Sequence, residues 1–337
     1  MTIAAGKIKS RVFASGVSAK GITMGKKRYW VIFLLLTGVG AGVFYFRRPD
    51  YQGWLLAAEK PLLTQLEDAA KFYLQGEYRR AEAGFVEALK TAQANDVAAN
   101  EKWRELPINS RRRVLPARIF ADNEKTQKRD GIDYFKPRIS EAAYGLALAR
   151  FGELQTRYRL NLADADGFSP PPEELKPALD ALATGLAISP QSESLRLLKA
   201  EIFAKCRRYG EALATLDEVL LISAKSAEAY NLRALIYSSP AYLVDRDNWE
   251  INSKKALADW EKATEFSSLN GTKLPDPFFN LGMYYATPPE GLPLRADDAD
   301  RAREYLTAYL KIVGNLDGDA SPNAEIAAAA LAKLPKN

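Results

Sequence analysis

Small and aromatic side chains alternate at helical spacing between residues 62 and 315, and this pattern constrains the fold more than any other feature. The clearest copy, residues 62–95, carries the pattern at Ala69, Phe72, Tyr78, Ala81, Phe85 and Ala88. Alanines let two helices approach closely, the rings fill the space between them, and Gly76 allows a tight turn. The pattern therefore predicts a helix–turn–helix unit.

The same pattern returns along the chain. Residues 193–226 hold a second clear copy, at Ala200, Phe203, Tyr209, Ala212, Leu216 and Val219. Further copies begin at residue 227 and near residue 281, each with a delayed second half, and a looser copy lies between residues 145 and 190. Five successive copies predict an all-α repeat array, since each unit needs its neighbours to bury its apolar face.

These units resemble the tetratricopeptide repeat (TPR), a helix–turn–helix of 34 residues. The copies are degenerate, because residues such as Gln65 stand where the family has Trp. The resemblance implies an α-solenoid of about five TPR-like helix pairs with long insertions over residues 62–315. It also implies a protein whose work is to bind other proteins. We expect residues 316–337 to form a capping helix and a tail, since the last repeat leaves an apolar face open.

The insertions are Pro-rich or charged and are candidate partner contacts. They comprise residues 91–137, 153–173, 239–254 and 287–297. The first contains a basic cluster, Arg111, Arg112, Arg113 and Arg118. One interpretation of the cluster is a solvated helix face, and the other is contact with an acidic partner or an anionic lipid surface.

Residues 29–46 form an apolar segment without charge, with aromatic residues at both ends. A helix of this length spans about 27 Å, close to the thickness of a bilayer's hydrocarbon core. Basic residues flank it at 26–28 and 47–48. The pattern predicts a retained transmembrane helix in contact with the lipid bilayer, followed by a juxtamembrane linker at 47–61.

Residues 1–28 carry seven Lys or Arg and no Asp or Glu, and we expect them to be a flexible tail. The excess of positive charge predicts that this tail lies inside and the repeat domain outside. One interpretation is a bacterial inner-membrane protein with a periplasmic domain. The alternative is a mitochondrial inner-membrane protein facing the intermembrane space, because a basic, acid-free N-terminus is also typical of transit segments.

Gly38 and Gly42 have the small-residue spacing that lets membrane helices approach closely, so they are candidate helix-packing residues. Glycine is common in membrane helices for other reasons, and that alternative stays open.

Composition excludes several classes of chemistry. The chain has no His and one Cys, Cys206, so it cannot build a His-dependent catalytic triad, a Cys–His dyad or a Cys-rich zinc site. Acidic residues are abundant, but no pair stands in an apolar setting that would suit a glycosidase-like hydrolase. Beyond residue 48 acidic residues outnumber basic ones, which argues against nucleic-acid binding. We expect no enzyme activity, no metal and no cofactor.

The TPR resemblance places a partner groove on the first helix of each pair. Carried over position by position, the groove residues are Leu66, Ala70, Tyr73, Leu146, Leu197, Glu201, Asn231, Leu235, Phe279 and Met283. Most are apolar or small, which suits an amphipathic helix laid in by its apolar face. That helix could belong to a partner, or it could be the chain's own segment near residues 322–334.

Taken together, the sequence predicts a membrane-anchored TPR-like scaffold, or an accessory subunit that helps assemble or stabilise an inner-membrane complex, such as an energy-transducing one. Its partners would be other subunits of that complex. The alternative is a periplasmic chaperone-like factor that holds client proteins transiently. Stoichiometry separates the two, since a subunit is permanent and a chaperone is not.

Overall fold

The computed structural model describes residues 51–106, 131–160, 169–239, 248–269, 274–287, 297–314 and 322–335. These residues form eleven α-helices and no β-strand. They fall into two compact units that divide between Ala142 and Ala143. The all-α prediction is confirmed for this part of the chain.

The helices are numbered in chain order. They are α1 (Tyr51–Leu74), α2 (Tyr78–Glu105), α3 (Lys136–Tyr158), α4 (Pro172–Ile188), α5 (Glu193–Lys205), α6 (Tyr209–Ile222), α7 (Ala227–Tyr237), α8 (Trp249–Leu269), α9 (Pro275–Ala286), α10 (Asp298–Gly314) and α11 (Pro322–Lys333). In the unit from Ala143, α5 pairs with α6, α7 with α8, and α9 with α10. Hydrogen bonds also join α3 to α4, from Arg150 to the Pro177 carbonyl and from Tyr158 to Glu174. Stacked helix pairs of this kind are consistent with an α-solenoid.

Small residues allow the paired helices to touch. Ala200 and Ala212 are fully buried between α5 and α6, as Ala234 and Ala256 are between α7 and α8. At Gly282 in α9, a methyl group would lie 2.8 Å from the Leu306 side chain and 3.1 Å from its backbone nitrogen. The small positions inferred from the sequence are therefore points of helix contact.

Two turns share one backbone geometry. At the α1–α2 turn, Gly76 has a φ of 77°, its N–H donates to the Tyr73 carbonyl, and the next N–H donates to Phe72. At the α5–α6 turn, Arg207 has a φ of 60° and sits in the matching pair of hydrogen bonds. Left-handed backbone of this kind favours glycine, so the arginine carries local strain.

Several predicted boundaries need correction. The segment at 47–61, expected to be a linker, is helical from Tyr51, and the insertion expected from residue 91 is helical as far as Glu105. The reason is packing: Tyr51 Oη donates to the Ala99 carbonyl at 2.8 Å, and Asn95 Nδ2 donates to the Ala58 carbonyl at 3.1 Å. These contacts extend the helix pair beyond the length of a TPR.

In the unit that ends at Ala142, an ion cluster holds α1 to the start of α3. Arg138 Nε lies 3.0 Å from Glu59 Oε1, Arg138 Nη1 lies 2.8 Å from Glu141, and Tyr134 Oη donates to Glu59 at 2.7 Å. Burial raises the pKa of Glu141, against the opposite influence of Arg138. All four polar groups are thus satisfied by one another.

The predicted terminal helix is present as α11. It packs on α9 and α10 of the last pair, and Ala327 is fully buried against Phe279, Leu306 and Tyr309. The helix therefore covers the apolar end that an open array would expose.

The predicted transmembrane segment 29–46 and its packing residues Gly38 and Gly42 lie outside the described residues. Among the helices that are described, none combines the length and the apolar character needed to cross a bilayer.

The close approach of α9 and α10 predicts that two Gly→Ala substitutions will have different effects on the free energy of unfolding. Gly282→Ala should lower the free energy of unfolding by about 1–3 kcal/mol, because its methyl group would meet the Leu306 backbone. Gly210→Ala is the control, since its methyl group would meet nothing within 4 Å and a helical Gly→Ala change is neutral or stabilising. Urea denaturation followed by circular dichroism measures both. An equal effect of the two changes would contradict the close packing at Gly282.

Candidate protein-binding face

The first helices α5, α7 and α9 lie side by side, because α7 contacts both α5 and α9. They bring together six of the predicted groove residues, which are Leu197, Glu201, Asn231, Leu235, Phe279 and Met283. We call the half-buried members of this set, Leu197, Glu201, Asn231, Leu235 and Met283, the first-helix face. Its backbone is fixed at two helix starts, where Ser192 accepts from the Leu195 N–H and Ser226 from the Ala229 N–H.

On α5 the face carries an ion pair. Lys205 Nζ lies 2.7 Å from Glu201 Oε1, and its side chain is only 11% exposed. The same ammonium lies 5.8 Å from the centre of the Phe151 ring on α3, a cation–π distance. Glu201 therefore carries a compensated charge at the edge of the face.

On α7 and α9 the polar groups of the face are uncharged amides. Asn280 Nδ2 donates to Asn231 Oδ1 at 3.0 Å, which joins two neighbouring first helices. An amide group has two donors and an acceptor with two lone pairs, so this bond leaves each side chain with further hydrogen-bonding capacity. The pair can therefore both fix the helix spacing and bind polar groups of a partner.

Between these polar points the face is apolar. Leu197, Leu235 and Met283 each pack with one side on a buried cluster while remaining partly accessible. Anchored side chains of this kind lose little freedom when a partner covers them. The face thus offers three fixed apolar contacts separated by an ion pair and an amide pair.

Three predicted groove residues are core residues. Leu66 is 2% exposed, Leu146 is 4% exposed and Phe279 is 2% exposed. Phe279 is covered by Tyr309, with ring centres 5.2 Å apart, and by α11, so that position is already occupied. Ala70 and Tyr73 on α1 are half-buried, and the Tyr73 ring packs edge-on against Tyr78 at 5.6 Å.

The back of α7 carries the ionic contact that holds the face in position. Arg233 makes a bidentate bond with Asp259 of α8, at 2.7 and 2.9 Å, and Nη1 contacts Asp217 of α6 at 2.9 Å. Asp259 is only 5% exposed. These carboxylates raise the pKa of Arg233. The arginine fixes the rotation of α7, and with it the direction of Asn231 and Leu235.

Other groups with possible chemistry are accounted for or lie elsewhere. Burial raises the pKa of the Cys206 thiol to about 12, so it is protonated at neutral pH. Over the described ranges, no group of three or more Cys, Asp or Glu side chains is placed to hold a metal ion. The basic cluster Arg111, Arg112, Arg113 and Arg118 lies outside those ranges.

Sequence reasoning missed two polar members of this region, Lys205 and Asn280. Lys205 follows Glu201 by four residues, and that helical spacing was a usable signal for an ion pair. Asn280 had no such signal, because its partner Asn231 is 49 residues away in the sequence.

The Arg233 contact predicts a large stability effect. Arg233→Met should cost about 3–5 kcal/mol of unfolding free energy, because it leaves the buried Asp259 carboxylate without its partner. Arg196→Met is the matched control, since Arg196 pairs at 3.3 Å with Glu218, which is 57% exposed, and should cost about 1 kcal/mol or less. Chemical denaturation measures both, and similar losses would contradict the role given to Arg233.

Comparison with known proteins supports this architecture. No curated protein matches the sequence of the chain. Residues 173–236, which cover the whole of α5 and α6 and almost all of α4 and α7, match the tetratricopeptide repeat family. The resemblance inferred from the small and aromatic residues is therefore supported for the part of the array that carries most of the first-helix face.

Proposed function

We propose that this chain is a scaffold or accessory subunit that binds protein partners through its first-helix face. TPR-like helical repeats are typical of protein-interaction scaffolds, and the family match at residues 173–236 supports a scaffold role. The main observation behind this proposal is the arrangement of α5, α7 and α9. These adjacent helices present half-buried Leu197, Leu235 and Met283.

The chemistry of the face favours an amphipathic helix as the bound segment. Apolar side chains of such a helix would cover Leu197, Leu235 and Met283. Polar groups along its edge would meet the Glu201–Lys205 pair and the Asn231–Asn280 pair. Because Lys205 compensates the charge of Glu201, and half-buried Asn231 keeps hydrogen-bonding capacity for water, the face can remain solvated without a partner.

We further propose that residues 29–46 anchor the chain in an inner membrane, with residues 1–28 inside and the repeat domain outside. The support is the uncharged apolar sequence, its aromatic ends and the basic residues before it. An anchored array of this kind would act at the membrane surface, assembling or stabilising a membrane complex rather than catalysing a reaction.

The binding proposal predicts a particle of fixed composition. Gentle detergent extraction should give a native mass well above the 37.3 kDa of one chain, with partners at constant ratio by quantitative mass spectrometry. Leu235→Arg should reduce that mass, because a charge on the face opposes apolar docking. Leu221→Arg is the matched control, since Leu221 is 88% exposed on α6, a second helix, and the change should leave the particle intact.

Thermal unfolding of both variants separates loss of binding from loss of fold. A particle that survives Leu235→Arg in a folded chain would contradict binding through this face. If the unaltered protein already runs as a small particle, with co-purifying proteins at less than one copy per chain, the subunit proposal is wrong. That result would favour the chaperone-like alternative.

The anchor proposal predicts resistance to alkaline extraction. The full chain should stay in the membrane pellet after carbonate treatment, because a spanning helix buries too much apolar surface to be released. Deletion of residues 29–46 should release it, whereas deletion of residues 2–28 should not. Release of the full chain would rule the anchor out.

A further inference from the structure

The terminal helix α11 has a narrow apolar stripe made mostly of alanine. Its members are Ala324, Ala327, Ala330 and Leu331, and Leu334 follows directly after the helix. Only Ala327 is fully buried, while Ile326, on the adjacent face, is 47% exposed. Within the helix, three of the four side chains of the stripe are therefore methyl groups, and Leu331 is the one large side chain.

The surface beneath α11 consists of large side chains. Phe278, Phe279, Leu306 and Tyr309 form its buried floor, and Met283 and Tyr305 lie at its edges. The Phe279 and Tyr309 rings support one another at 5.2 Å. The floor residues thus all belong to α9 and α10, and α11 packs over them.

Polar attachment of α11 is also slight. A hydrogen bond from Arg303 Nη2 of α10 to the Pro335 carbonyl, at 2.7 Å, holds the residues directly after α11. A methyl group buries far less apolar area than a Leu or Phe side chain, so an alanine stripe adds little free energy per residue. The local attachment of α11 is therefore weaker than the cohesion of the helix pair on which it lies.

We propose that the α9–α10 surface is a helix-binding site, which α11 occupies within the chain and which a partner helix of the same pattern can occupy instead. The partner helix would carry small residues at the positions of Ala324, Ala327 and Ala330, followed by Leu at the position of Leu331. Small residues are required because α11 lies directly on the aromatic floor, where larger side chains would force the helices apart.

This site goes beyond the proposed function, because it lies at the end of the array and includes second-helix residues such as Leu306 and Tyr309. It borders the first-helix face at Met283, which packs on the same cluster as Leu331. A partner that displaced α11 would therefore gain contact with the first-helix face as well.

The test uses the full chain in detergent and a fluorescent synthetic peptide of residues 322–335. In Ala327→Glu the buried position of α11 carries a charge, so α11 should leave the surface while the surface keeps its own residues. We expect the peptide to bind this variant at least about tenfold more tightly than the unaltered chain, since the tethered helix competes at an effective concentration of about millimolar. Fluorescence anisotropy measures the affinities.

Ala328→Glu is the matched control, because Ala328 is exposed on the same helix and its change should leave peptide affinity as in the unaltered chain. A peptide that itself carries Glu at position 327 should not bind. Hydrogen exchange of Ala327→Glu should rise within residues 322–333 and stay low within residues 275–314.

Three results would overturn the proposal. They are equal peptide affinity for the unaltered chain and Ala327→Glu, absence of binding to Ala327→Glu when α11 is free, and loss of protection throughout α9 and α10. Loss of protection throughout α9 and α10 would show that α11 is an integral part of the α9–α10 pair. None of these outcomes depends on a cellular partner, so they leave the stoichiometry test of the proposed function separate.

Discussion

Contact between paired helices at positions without bulky side chains is the constraint on which the rest of this structure depends. Gly282 lies against the Leu306 backbone, Gly84 lies against Ala69, and Ala200 is completely buried. Close contact at these points lets the larger residues beside them interdigitate at high density. Each pair then becomes a rigid unit, and the first helices of successive pairs can lie side by side.

A second repeated feature is the left-handed turn. Gly76 and Arg207 occupy equivalent places and form the same two backbone hydrogen bonds. The hydrogen bonds therefore define the turn, and glycine only makes it less costly. This explains how a degenerate repeat keeps its geometry when the family's preferred residues are missing, and why burial of small residues is a more reliable guide than any single motif position.

The sequence predicted the helix pairs, the small contact positions and the terminal helix, because these depend on local periodicity. It missed the true ends of α1 and α2, since those depend on distant contacts such as Tyr51 with Ala99. For the first-helix face it identified Leu197, Glu201, Asn231 and Leu235 at half-buried positions, but Phe279 is covered by tertiary packing against Tyr309 and α11. Family positions indicate a helix face, and only the packed structure shows which of its residues stay accessible.

The most direct test of the central claim, that first helices bind the partner, is site-specific photo-crosslinking in the native membrane. A photoreactive residue at position 197 or 235 should crosslink to the same partner protein, while one at position 221, on a second helix, should not. Crosslinking from position 221 alone, or no crosslinks from positions 197 and 235 in the assembled particle, would contradict the account.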